Sequence, residues 1–297
     1  MTSAPYSADN FCYRHPDRQS FVLCQRCGKT VCPDCQVQAA VGVHCVDCAR
    51  QDRRETPRAY SAGRRPAFLR NLTGADAPVV TYAIMAVCVI VYLLQLIPGL
   101  GVTQAVIYAP AYTIPATGAP LEPWRMITSM FAHSPVSAQN PFGIFHILLN
   151  MYTLFVLGPS IERMLGKGRF LALYLIAGFG GSVAVAFLAS PLSAVLGASG
   201  AIFGLMGAYF IINRHLGGSS AQIVVLVVIN LAFGFVVSGI SWQAHLGGLI
   251  AGGLVAFVYV RTRAIRKRNL QILLVAAIVV GLVLLTVARA LVYPITG

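Results

Sequence analysis

Long apolar runs recur along most of this chain, separated by short stretches rich in glycine, proline and charge. They fall at roughly 78–97, 143–160, 170–188, 197–213, 221–238, 242–260 and 270–292. About twenty apolar residues make a helix long enough to cross the hydrocarbon core of a bilayer. A helix also satisfies its own backbone hydrogen bonds there, where water cannot. The pattern therefore predicts an all-α polytopic membrane protein with seven spans, the fourth shorter than the rest. Ahead of the first run the chain is different: residues 1–50 are polar and cysteine-rich, and 51–77 form an arginine-rich stretch with Pro57 and Pro66.

Composition supports the membrane assignment. The chain is 57% hydrophobic and 10% charged, against about 25% charged residues in a soluble domain. The formal net charge of +13 is not spread evenly. Arg163, Lys167 and Arg169 lie between the second and third runs, Arg214 between the fourth and fifth, and Arg261, Arg263, Arg266, Lys267 and Arg268 between the sixth and seventh. With the arginine-rich linker, all of these fall on one side if every run crosses. The opposite connections are nearly free of basic residues, with Arg125 the main exception. The positive-inside rule then places the N-terminus in the cytoplasm and Gly297 outside, in a multi-pass protein of the plasma membrane. The basic balance is explained by an anionic membrane surface, and no motif for nucleic acid accompanies it. Met1 to Asn10 lacks the basic-then-apolar character of a secretory signal.

Seven of the eight cysteines lie between Cys12 and Cys48, in steps of three: Cys12-x-x-His15, Cys24-x-x-Cys27, Cys32-x-x-Cys35 and Cys45-x-x-Cys48. Each pair offers two ligands on one tight turn, and a tetrahedral zinc site takes two pairs. Four pairs give two sites. Disulfides are the competing explanation, but seven cysteines leave one over and a histidine stands where the eighth would be. Thiolate zinc sites also suit a reducing compartment, in agreement with the charge rule. The order of pairs resembles the cross-braced two-zinc modules of the B-box type, which implies one site from Cys12, His15, Cys32 and Cys35 and another from Cys24, Cys27, Cys45 and Cys48. His44 could stand in for Cys45. With four protein ligands each, such sites are structural.

Candidate chemistry lies at the start of the fourth and sixth runs. Gly197-Ala198-Ser199-Gly200 puts one hydroxyl among small residues at a helix start, where unpaired backbone N–H groups can stabilise an anion. The same residues also suit a close helix–helix contact. Trp242-Gln243-Ala244-His245 opens the sixth run, and Gly248 and Gly252 repeat the four-residue spacing of Gly200 and Gly204. If these glycine faces meet, Ser199 and His245 sit at one depth on adjoining helices. His146 and Asn150 lie four apart on the second run, hence on one helical face. They are either inward-facing functional groups or hydrogen-bonding glue between helices. The loop at 98–142 holds Trp124-Arg125, read as an interface anchor, and His133, read as a loop histidine.

Together, His146-x-x-x-Asn150, Gly197-x-Ser199-Gly200 and Ala244-His245-x-x-Gly248-x-x-x-Gly252 resemble the rhomboid family of intramembrane serine proteases. The Trp124-Arg125 stretch is similar to the family's first-loop signature. The resemblance covers about residues 75–260. It implies a rhomboid core of six transmembrane helices at 78–260, with residues 261–297 as an extra C-terminal helix, a basic linker at 51–77 and a zinc module at 1–50. It further implies a Ser199–His245 dyad with no acidic third member. His146, Asn150 and the backbone N–H of Ser199 would form the oxyanion hole. No cofactor is implied for catalysis. The substrates would be membrane proteins, cut near the outer ends of their transmembrane helices, and a cytoplasmic protein is a candidate partner of the zinc module. No Asp lies in any of the seven runs, and Glu162 is at the opposite end of the second run from His146.

A catalytically silent relative that holds client helices is the main alternative, although such a protein would usually lack the serine or the histidine. A transporter is a weaker rival, because the runs show no repeat and no charged pair at mid-membrane. A zinc metalloprotease is disfavoured by the absence of His-Glu-x-x-His.

Overall fold

The computed structural model describes residues 10–39, 42–55, 77–138, 140–236 and 239–293. Most of the expected linker at 51–77, and Gly297, lie outside them. The chain divides into two compact units, Met1–Ala67 and Phe68–Gly297.

The first unit is small and held from within by sulfur. Strand β1 (Phe11–Cys12) pairs antiparallel with β2 (His15–Gln19), and β3 (Gln36–Gln38) with β4 (Val43–Cys45), in the register Gln36–Cys45, Val37–His44 and Gln38–Val43. Helix α1 (Val46–Glu55) follows. The buried cluster consists of Cys12, Cys24, Cys32, Cys35, Cys45, Cys48 and Val31. A module with so little apolar bulk needs a crosslink or a metal to fold.

The second unit is helical. Helix α2 (Val79–Gln95) leads into a loop with two short helices, α3 (Val102–Val106) and α4 (Arg125–Thr128). Then come α5 (Gly143–Leu165), α6 (Lys167–Leu188), α7 (Ser199–His215), α8 (Ala221–Val236), α9 (Trp242–Arg261) and α10 (Arg268–Val292). Each predicted run is one helix. By length and composition, α5, α6, α9 and the stretch Ile265–Val292 are long and apolar enough to cross a membrane. Helices α2, α7 and α8 are shorter. Helix α5 runs past its expected end at 160, through Pro159 and a polar last turn.

Helices α6, α7 and α9 form the centre. Gly200 and Gly204 of α7 face Gly248 and Gly252 of α9, and a methyl at Gly248 would collide with the Gly200 carbonyl, one at Gly252 with Gly204. Gly180 and Gly181 of α6 lie against Ala251, Gly247 and Ala244 of α9 in the same way. Lipid is as apolar as leucine, so such close backbone packing, rather than hydrophobic burial, holds helices together in a bilayer. Helix α10 lies at the edge, touching α6 and α9, and Gln271 is its one buried residue.

Polar groups fix the periphery. Helix α2 has no capping side chain of its own, and buried Glu162 of α5 supplies one. Its carboxylate accepts the Val80 N–H at 3.0 Å and both the N–H and the hydroxyl of Thr81 at 2.7 Å. A negative charge at a helix N-terminus is favourable. At the other end of α2, the Gln95 amide donates to the His133 carbonyl at 2.9 Å and accepts the His133 N–H at 3.0 Å.

Arg125 differs from expectation, whereas His133 lies in the loop as expected but is buried. Arg125 is buried rather than an anchor: it pairs with Glu122, donates to the carbonyls of Gln104 and Ile107, and lies over the Tyr112 ring. Trp124 is 55% exposed and keeps the anchor position alone. His133 is fully buried, its ring edge-on to His146 at 5.2 Å. Arg125 is drawn inward because a proline-rich loop has unpaired carbonyls to satisfy, and its guanidinium serves two of them.

Candidate active site

Ser199 is the first residue of α7, and the segment before it is held on both sides. Tyr108 and Val195 exchange backbone hydrogen bonds at 3.1 and 2.7 Å, and the Gly197 N–H donates to the Ser129 carbonyl at 3.0 Å. Gly197 has φ +128°, a conformation open to glycine alone among common residues. A side chain there would also meet the His146 ring, with Nε2 at 2.8 Å from a Cβ position that lies 3.8 Å from Ser199 Oγ. Glycine at 197 thus turns the chain into α7 and leaves room between the serine and His146.

His245 stands one turn into α9. Ser241 caps that helix, accepting the Ala244 N–H at 3.3 Å. His245 Nε2 is 2.9 Å from Ser199 Oγ. Its other nitrogen, Nδ1, is buried and has no hydrogen-bond partner among the described residues. The ring is instead stacked on Phe203, centroids 4.1 Å apart and planes 10° from parallel. Phe203 follows Ser199 by four residues, so α7 carries both the serine and the flat surface on which the histidine rests. Sequence reasoning overlooked Phe203. The four-residue spacing was the available signal, but a phenylalanine in an apolar run reads as core.

His146 and Asn150 share one face of α5, and both line the same cavity as Ser199 and His245, about 980 Å³ in volume. His146 Nδ1 accepts the Ser134 N–H at 3.1 Å. That bond assigns the proton of the neutral ring to Nε2, which faces the space beside Gly197 and Ser199. The Asn150 amide donates to the His146 carbonyl at 2.7 Å, leaving a second N–H and its oxygen for other partners. The structure thus gathers all four predicted side chains around one cavity. Chemically, the group offers a hydroxyl beside a base, and donors aimed at the space next to it.

The cysteine-rich unit is a separate centre. The donor atoms of Cys12, His15, Cys32 and Cys35 lie within 4.8 Å of one another, as do those of Cys24, Cys27, Cys45 and Cys48. In the first set, His15 Nδ1 is 3.8 Å from Cys12 Sγ and 3.4 Å from the sulfurs of Cys32 and Cys35. In the second, the Cys27 and Cys45 sulfurs are 3.7 Å apart. Ligands about 2.3 Å from a tetrahedral zinc are separated by just such distances, so the residues present fit the metal. Burial alone would push the Cys12 and Cys24 thiols up. Backbone N–H donors, from Cys32, Arg14 and His15 to Cys12 and from Cys45, Cys27 and Arg26 to Cys24, outweigh it and hold both near 6. In the same two sets, burial and the neighbouring sulfurs push the Cys35 thiol up to about 11 and the Cys48 thiol up as well. His44 is in neither set: its Nδ1 is 2.8 Å from Asp52 Oδ2.

Comparison with known proteins places this arrangement. A family profile described as Rhomboid domain matches residues 120–262. The chain is 36% identical over 211 residues to the rhomboid protease GluP of Bacillus subtilis (strain 168), an alignment covering 69% of this chain and 40% of that protein. It is 37% identical over 146 residues to YdcA of the same organism, named as a candidate rhomboid protease, covering 47% of this chain and 69% of YdcA. Identity to the rhomboid protease GlpG of Haemophilus influenzae is 28% over 202 residues, covering 65% of this chain and 95% of GlpG. The chain therefore spans less than half of GluP and most of the other two.

Proposed function

Because this chain belongs to the rhomboid family, we propose that it is an intramembrane serine endopeptidase acting through Ser199 and His245 on transmembrane helices of other membrane proteins. The observation that carries this reading is the 2.9 Å approach of His245 Nε2 to Ser199 Oγ, beside a glycine-cleared space that His146 Nε2 faces.

Ser199 Oγ attacks the scissile carbonyl carbon as its proton passes to His245 Nε2. The carbonyl oxygen becomes an anion and receives hydrogen bonds from His146 Nε2–H, the free Asn150 N–H and the Ser199 backbone N–H. When the C–N bond breaks, the leaving amine takes the proton from His245. A water then attacks the acyl-enzyme by the same route in reverse, returning the proton to Ser199. Phe203 holds the imidazole plane throughout, which replaces the orienting carboxylate found in triads. In the head, Cys12, His15, Cys32 and Cys35, and Cys24, Cys27, Cys45 and Cys48, would hold two zinc ions in a structural role. The head faces the cytoplasm of a plasma-membrane protein, the side favoured by basic connections, and the dyad opens toward the outer surface.

A graded series tests the assignment: purified protein in liposomes with a transmembrane substrate, wild type against Ser199→Ala, His245→Ala and Asn150→Ala. Loss of either dyad member should abolish cleavage with folding intact. Loss of the asparagine should lower kcat about 100-fold, as for one oxyanion donor elsewhere. Cleavage by Ser199→Ala at the wild-type rate would refute the reading. Binding of the helix without cleavage by wild type would favour a silent, client-holding relative.

A further inference from the structure

Two polar side chains on the wall of the Ser199 cavity have no part in the hydrolytic scheme. Thr153 is on α5, one turn deeper than Asn150, and Asn230 is on α8, where it is the only polar side chain between Ile223 and Val236. Both line the cavity that holds Ser199 and His245. Thr153 lies about 15 Å from the start of α5 and Asn230 about 9 Å from the end of α8, at 1.5 Å per residue, well within an apolar slab. A polar side chain at such depth is costly.

Each is tied to its own helix and half used. Thr153 Oγ donates to the Leu149 carbonyl at 2.8 Å, and Asn230 Nδ2 to the Leu226 carbonyl at 2.8 Å. The threonine oxygen still accepts, and the asparagine keeps one N–H and its carbonyl oxygen. A substrate helix must open for Ser199 to reach its backbone. Opening one turn frees N–H and C=O groups, which in hydrocarbon find no water.

The geometry points to Thr153 and Asn230 as the groups that receive the unwound substrate backbone on the lipid-embedded side of the scissile bond. This rests on the protease reading above. Asn230 serves a freed N–H and a freed C=O together, and Thr153 a second N–H. They touch no reacting atom. Their effect is on which substrates can open in the site, so they are specificity-determining residues for helical substrates.

The test uses the full chain in liposomes and two substrates of one sequence: a complete transmembrane helix, and a peptide truncated a few residues beyond the scissile bond, which lacks the segment that would reach α5 and α8 at that depth. Asn230→Leu and Thr153→Val should each lower the ratio of kcat/KM on the complete helix to that on the peptide about tenfold, the loss of one hydrogen bond in lipid. Asn230→Gln should restore much of it. An unchanged ratio, whether both rates hold or both fall together, overturns the proposal. Failure of the wild type to cut either substrate would overturn the protease reading itself, before any variant is compared.

Discussion

His133 is fully buried, and neither of its ring nitrogens has a hydrogen-bond partner among the described residues. Burial first, and the neighbouring His146 second, push it down to about 3, against an ordinary value near 6.5. Between those values the unfolded chain binds a proton that the folded chain refuses. Stability from this group is therefore present above about pH 6.5 and is lost as the pH falls toward 3. Thermal unfolding in detergent from pH 4.5 to 7.5 should show a shallower acid decline for His133→Leu than for wild type, even if the variant is less stable at every pH. Parallel curves would mean that His133 stays neutral in neither state or both. Such a residue shows where sequence reading stops. Ser199, His245, His146 and Asn150 were legible because their spacing put them on named helical faces. His133, Arg125 and Gln95 sit in or against a loop, where no periodicity says which way a side chain turns.

Among the elements, glycine decides which helices can touch. A Cβ at Gly248 would meet the Gly200 carbonyl, whereas one at Gly253, also in α9, meets nothing within 4 Å. Gly248→Ala should therefore destabilise by about 1–3 kcal/mol, the range for overpacking a tight contact, and reduce cleavage by moving His245 from Ser199. Gly253→Ala should be neutral or slightly stabilising, because alanine is the better helix former. Melting temperature and activity of the two variants side by side check this, and equal effects would refute it. The spans themselves were readable to within a few residues, since the length of an apolar run and the length of its helix are set by the same bilayer. What the runs could not reveal was the cap that Glu162 lends to α2. Its partner lies more than eighty residues away, and a lone carboxylate at the end of a run reads as a solvated charge.

For the molecule as a whole, the two units should be separable. The cysteine-rich unit has its own buried cluster, and the helical unit has another. Deleting residues 1–60 should leave cleavage of a generic transmembrane substrate in detergent within about twofold, because the dyad uses no metal. A strong chelator should remove two zinc ions per chain and unfold the head alone, since metal binding in so small a module is folding energy. Metal content well below two, or a folded truncation without activity, would contradict this division.

The glycine seam between α7 and α9 has a further consequence, for the order in which the protein is made. Helix α7 leaves the ribosome long before its partner does, with α8 in between. At 5–20 residues per second the roughly 45 residues from the end of α7 to the end of α9 take a few seconds to synthesise. During that interval α7 is a short helix with a bare backbone face and a serine at its tip, and α5 and α6 are the long helices packed on it that are already made. The nascent chain therefore has a waiting period built into its gene order, and whatever first occupies the groove on α7, lipid or insertase, must leave when α9 arrives.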